Sequence, residues 1–158
     1  MLGNSTDALS VLAADHKAVQ LLLAEYDELA SDHADVEERQ SLATQICWAL
    51  TAHAAAAEEV FYPALAEALG DDGLVDDALA GHDGLRAVVE QIEALDASDE
   101  RFDALMLVLA SAVARHVREE ERELFPRVRT AGLDLDRIGA RITRRRDEWL
   151  RQLLEASA

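Results

Sequence analysis

The chain has 158 residues, 50% of them hydrophobic, with a single cysteine, which is enough for one domain with its own core and rules out an internal disulfide. A formal charge of −17 at pH 7 argues against nucleic acid or an anionic membrane surface as a partner, while suiting a protein that attracts cations. The opening Met1-Leu2-Gly3-Asn4-Ser5-Thr6-Asp7 is no signal peptide and no window is apolar for long enough to span a bilayer, so a cytoplasmic, reducing setting is expected.

Abundant Ala, Leu, Glu, Asp and Arg favour helix over strand. Ser5, Thr6 or Asp7 can cap a first helix, on which Leu9, Leu12, His16, Val19, Leu23 and Tyr26 recur at steps of three and four and define one buried stripe. That helix should end near Ser31-Asp32, and His33 in the polar connection reads as a surface residue. A second helix is predicted over 35–69, with Leu42, Ile46, Ala49, His53, Ala56 and Val60 facing inward and Cys47 and Trp48 packing beside them. Pro63 removes a backbone donor inside this pattern, so a bend or loosened turn is expected there. Gly70-Asp71-Asp72-Gly73 closes the helix.

A third helix over 74–95 carries Leu74, Ala78, His82, Leu85, Val89, Ile92 and Leu95, with Gly81 and Gly84 permitting close approach of a neighbour. Ser98 or Asp99 should cap a fourth, running to about Arg129 through the apolar run 105–113, which is expected to be buried. His116 shares its stripe with Ala112, Leu109 and Leu105, and Glu120 follows one turn on, about 40° round. Asp134 caps a fifth helix over 134–155, whose apolar side is Ile138, Ile142, Trp149 and Leu153. Its basic run, 141–146, reads as a cationic surface docked onto or solvated beside an acidic body, or as a protein-docking face.

The first two helices repeat in the next two. Asp15-His16-Lys17-Ala18-Val19 matches Gly81-His82-Asp83-Gly84-Leu85, and His53 and His116 are each followed ten residues later by proline, Pro63 and Pro126. The fold class is therefore all-α: an up-down four-helix bundle over 7–130 plus a C-terminal helix, in a single domain of 1–158.

Each bundle helix places one histidine on its core-facing stripe. A buried imidazole needs a partner, and these stripes otherwise offer Leu, Val, Ile and Ala, so convergence on a metal satisfies all four together. Imidazole plus carboxylate without cysteine suits iron, manganese or zinc. Four histidines and two acids exceed the needs of one tetrahedral ion and match two carboxylate-bridged ions.

These residues resemble the hemerythrin-like proteins, the HHE cation-binding domain family, over about 7–130. The resemblance rests on Asp15-His16, His53 with the run Glu58 to Pro63, His82, and His116 with Glu119-Glu120-Glu121 and Leu124-Phe125-Pro126. It implies a di-iron, oxo- or hydroxo-bridged centre (zinc or manganese as substitutes) that binds or senses dioxygen, nitric oxide or peroxide. It also implies His16 and His53 on one iron, His82 and His116 on the other, with carboxylates bridging; Glu58 and Glu120 are the expected acids.

One position departs from the family. The glutamate expected four residues after His53 is Ala57, and Glu58 follows at five, about 140° round an ideal helix. A local bulge would let Glu58 serve as the bridging acid; the alternatives are Glu59, a solvent ligand or a weakened site. In the fourth helix Glu120 keeps the family spacing, with Glu121 as its rival. The Glu-x-x-His plan of ferritin-like di-iron proteins, the zincin motif, a glycine-rich phosphate loop and a Ser- or Cys-based nucleophile are all missing. The expected functions are small-ligand binding or sensing, peroxide-consuming or stress-repair catalysis at the same centre, or a metal-stabilised regulatory bundle.

Overall fold

The computed structural model describes residues 6–70 and 73–157, and among these every regular element is helical. The chain runs α1 (Ala8–Ser31), α2 (Val36–Ala56), a π-helical turn (Ala57–Phe61), α3 (Tyr62–Leu69), α4 (Leu74–Glu93), α5 (Phe102–Glu119), a second π-helical turn (Glu120–Leu124), α6 (Phe125–Arg129) and α7 (Leu135–Ala156). Asp7 caps α1 by accepting from Ser10 N–H at 2.8 Å, and Asp134 caps α7 by accepting from Arg137 N–H at 3.2 Å. Of the other proposed caps, Thr6 precedes the capping residue and Ser5, like Asp71-Asp72, lies outside the described residues.

The two π turns are the local features that matter most. Tyr62 N–H reaches back five residues to the Ala57 carbonyl, and Phe125 N–H to that of Glu120. Each turn therefore holds one extra residue, and each is followed at once by a proline, Pro63 or Pro126, that has no N–H to give. The defect expected near Pro63 is thus a π turn, and it has a twin before Pro126.

Two expectations need correction. The fourth helix is not capped by Ser98 or Asp99; α5 begins at Phe102, because the Asp96 and Asp99 side chains accept from Ser98 and Arg101 N–H and fold turns instead. The run 105–113 is not buried throughout. Leu107 and Val108 are 59% and 51% exposed, because the stripe that faces inward runs through Phe102, Met106, Leu109, Val113 and His116.

Two apolar clusters fill the interior. One contains Val19, Leu23, Ile46, Leu85, Ile92, Phe102, Met106 and Leu109; the other contains Leu12, Phe61, Leu65, Leu124, Phe125, Val128 and Ile142. Along every bundle helix the histidine falls between residues of the first cluster and residues of the second. The four imidazoles are thus a polar layer between two dry plugs, each of whose buried aliphatic or aromatic side chains contributes about 1.5–3 kcal/mol.

Helix α7 packs on α1 and α2. Ile138 and Ile142 are buried, and Gly139 permits the contact: a Cβ there would lie 2.2 Å from the Thr6 carbonyl oxygen. Among the described residues no helix is long and apolar enough to cross a membrane.

Candidate metal centre

His16, His53, His82 and His116 are all buried, as is Glu120, whereas His33 is exposed. Neighbouring imidazole centroids stand 4.7 Å (His82 to His116), 5.0 Å (His16 to His53), 5.7 Å (His16 to His116) and 6.1 Å (His53 to His82) apart. Inside this ring His16 Nε2, His53 Nε2, His116 Nε2 and Glu120 Oε1 are buried without a hydrogen-bond partner. One ligand atom from each of these four residues lies within 4.8 Å of the others. A tetrahedral ion with bonds of about 2.0–2.1 Å separates its donors by roughly 3.4 Å, so a small contraction of this cage would close it on a cation. His16 Nε2 and Glu120 Oε1 face each other at 3.4 Å, and such a concentration of buried donor atoms short of hydrogen bonds suits a cation.

The outward-facing nitrogens are held by acids. His16 Nδ1–H donates to Glu121 at 2.8 Å, His53 Nδ1–H to Asp15 at 3.1 Å and His82 Nδ1–H to Glu58 at 3.1 Å. Two of those acids are themselves anchored: Arg146 donates to Asp15 at 2.7 Å and Arg86 to Glu58 at 2.8 Å. Such carboxylate–histidine pairs fix the tautomer so that Nε2 presents its lone pair to a metal.

Glu58 is therefore placed beside His82 and Arg86, outside the cage, while Glu120 enters it and Glu121 takes the outer face of His16. His82 shares the layer but is not among the converging four. Its Nε2 lies 3.1 Å from the Tyr62 hydroxyl oxygen, and that hydroxyl donates to Glu120 Oε2 at 2.5 Å. Tyr26, the other tyrosine on an inward stripe, bonds Asp103 at 2.6 Å, far down the bundle.

The internal repeat explains this asymmetry. Glu58 and Glu121 both follow their histidine by five residues, and both orient the histidine of the opposite repeat, His82 or His16. Glu120 has Ala57 as its counterpart, so only one repeat supplies an inner acid. Asp15, which holds His53, has Gly81 as its counterpart, so His116 receives no outer acid there; a Cβ at Gly81 would instead stand 3.2 Å from His116 Nδ1. The repeats build one complete half-site and one that lacks its inner carboxylate.

Electrostatics favour ligand-ready imidazoles. Burial pulls His116 down to about 4, and burial likewise holds His53 below its ordinary value despite the Asp15 hydrogen bond. His16 behaves differently: burial works to lower it, but Glu120 and Glu121 together outweigh that and raise it. Burial works to raise Glu120, and the surrounding histidines outweigh it and keep the carboxylate ionised. Burial and the neighbouring Glu120 charge push Tyr62 well above its usual value, leaving a neutral phenol.

The hemerythrin HHE cation-binding domain profile matches residues 7–128. The chain belongs to the hemerythrin HHE cation-binding domain family. A protein of Nostoc sp. (strain PCC 7120) named DNA nickase is 34% identical over 119 residues, which is 75% of this chain and 32% of that protein, so the chain spans about a third of the relative's length. No solved structure matches this chain.

Within this HHE domain, sequence reasoning offers Tyr26 and Tyr62 as residues near the centre or as core packing, reads Arg146 only as part of a docking surface, and gives Arg86 no role. Tyr62 was legible as a buried aromatic, but whether its hydroxyl reached the centre depended on the π turn before it. The two arginines gave no periodic signal. Arg146 belongs to the basic run of α7, and with Arg145, which donates to Glu59 at 2.6 Å, it docks that run on the acidic body.

Proposed function

We propose that this domain is a non-haem iron protein whose centre binds or senses dioxygen, nitric oxide or peroxide. The observation that carries the reading is the convergence of three unpartnered imidazole nitrogens and one unpartnered carboxylate oxygen in a dry layer. His16, His53, His116 and Glu120 would hold the first ion, with zinc or manganese as substitutes for iron. A second iron of a carboxylate-bridged pair, within the up-down four-helix arrangement, would draw on Glu120 Oε2, His82 and Glu58, at the expense of the hydrogen bonds Tyr62 now makes. When bound, ferrous or ferric iron supplies redox chemistry and an open position for a small exogenous ligand.

The chain's own residues prepare that position. Asp15, Glu121 and Glu58 hold imidazole nitrogens pointing inward, and the apolar plugs exclude water. A cleft of about 450 Å³ reaches all four histidines past Val19, Leu50, Val89 and Val113, with Asp15, Glu58, Glu59 and Arg86 also on its walls. The apolar stretch of these walls suits a small neutral molecule.

Peroxide consumption is the second reading, and Tyr62 favours it: a buried neutral phenol hydrogen-bonded to Glu120 Oε2 stands at the centre, where a general acid is needed. The activity named for the Nostoc relative is not adopted for this chain. The charge of −17 opposes a DNA backbone, and Arg145 and Arg146, in the only basic run, are paired with Glu59 and Asp15. Iron content and ligand titration test the proposal. The iron-loaded protein should hold up to two irons per chain and change its absorption on adding azide or nitric oxide; protein that takes up iron but responds to neither would contradict it. Oxygen evolution from peroxide that disappears in Tyr62→Phe would favour the second reading.

A further inference from the structure

The centre is approached from two flanks that the repeat makes equivalent, and only one is closed. On the Asp15 flank, α7 lies across the bundle, with Arg146 on Asp15 and Trp149 Nε1–H donating to Glu59 at 3.2 Å. On the Gly81 flank no described element covers the seam between α4 and α5, and a groove of about 520 Å³ opens there. We infer that this groove is the route by which a divalent cation reaches the centre, separate from the cleft between α2 and α4 through which the small exogenous ligand enters; the inference rests on the metal-binding reading above.

Three observations support it. First, His116 and Glu120 line the groove, their side chains only 7% and 1% exposed, and each holds an unpartnered ligand atom. The groove thus ends on two of the four cage residues, with His116 Nδ1 toward Gly81 and the unpartnered Nε2 and Glu120 Oε1 facing the cage behind it. Second, the wall is made of glycine. A Cβ at Gly84 would meet nothing within 4 Å, so the groove is open at that point, and one at Gly81 would press on the His116 ring. Third, the rim carries Asp77, Glu119 and Glu123 against one cation, Arg115, which pairs with Glu119 at 3.2 Å. A negative rim over a low-dielectric floor concentrates cations and speeds their arrival.

The other cleft is built differently. Its acids nearest the centre are occupied: Glu58 by Arg86, Glu59 by Arg145, Asp15 by Arg146. Glu90 and Glu93, which also line it, stand two and three turns along α4 from His82. The three arginines neutralise these acids and so weaken their pull on a divalent cation, while a neutral diatomic is indifferent to them.

The test follows cobalt(II) uptake by metal-free protein, read from the rise of its visible absorption, beside azide association with fully iron-loaded protein. Gly84→Leu fills the groove at an exposed helix position where leucine is the better helix former, so folding is not threatened. It should slow cobalt uptake at least tenfold, leaving final cobalt content and azide association unchanged. Neutralising the rim with Asp77→Asn, Glu119→Gln and Glu123→Gln together should slow uptake several-fold and flatten its dependence on salt. Uptake at the wild-type rate in both variants would overturn the route, and a Gly84→Leu protein slowed equally in both steps would overturn its separation from the ligand cleft. If wild-type protein took up no cobalt, zinc or iron at all, the metal-binding reading itself would fail, which is a different result.

Discussion

At the scale of single residues, the centre depends as much on the acids behind the histidines as on the histidines. Asp15 illustrates it. Burial works against its charge, but the His53 hydrogen bond and Arg146 outweigh that and hold the carboxyl below its usual range, so it stays an acceptor for His53 Nδ1–H. Asp15→Asn should lower zinc affinity about 10–100-fold, measured by chelator competition, with helical content of the metal-free protein unchanged. Ala57 is the complementary case. Restoring an inner acid with Ala57→Glu, combined with Tyr62→Phe to clear its place, should tighten the second metal ion at least tenfold in a stepwise titration. An unchanged second step would mean that Ala57 does not face the site as its repeat partner Glu120 does. The metal-free double variant should also be less stable, since a buried carboxylate without a partner is costly.

At the scale of elements, the decisive features are the two π turns and the seat of α7. The inward stripes of α1, α2 and α4 were legible because apolar residues recur at steps of three and four, and the buried histidines interrupt that rhythm conspicuously. The register after His53 and His116 was not. A fixed turn angle carries Glu58 away from the His53 stripe, and only an inserted residue, compensating the missing N–H of Pro63, resolves where it goes. It goes to His82. Pairing across the repeat depends on distances between helices, which no single helix's periodicity encodes. The role of Gly139 was equally hidden, since glycine within a helix reads as a weak point and here allows close approach to the start of α1. Gly139→Ala should drive a methyl into the Thr6–Ala8 backbone, costing about 1–3 kcal/mol in denaturant unfolding. It should also loosen α7, so that Trp149 fluorescence shifts to the red. An unshifted spectrum with unchanged stability would contradict the close contact.

At the scale of the whole molecule, a polar layer placed between two apolar plugs makes the metal-free protein carry buried, unpartnered groups through the middle of its fold. A cation that binds only the folded chain should stabilise it by about 2.7 kcal/mol at a free concentration of one hundred times Kd. For a chain of this length that raises Tm by about 5–11 °C. His53→Ala should abolish most of the gain, and His82→Ala should reduce it less, because His82 stands at the edge of the cage with both nitrogens engaged. Equal losses would place His82 among the primary ligands. The net negative charge acts over the same scale, drawing cations toward a centre that would otherwise be reached only by chance encounter. The measurement that bears most directly on all of this is anomalous diffraction at the iron edge from crystals of iron-loaded protein. It should show its strongest peak among His16 Nε2, His53 Nε2, His116 Nε2 and Glu120 Oε1; peaks confined to surface carboxylates, with none inside that cage, would contradict the account.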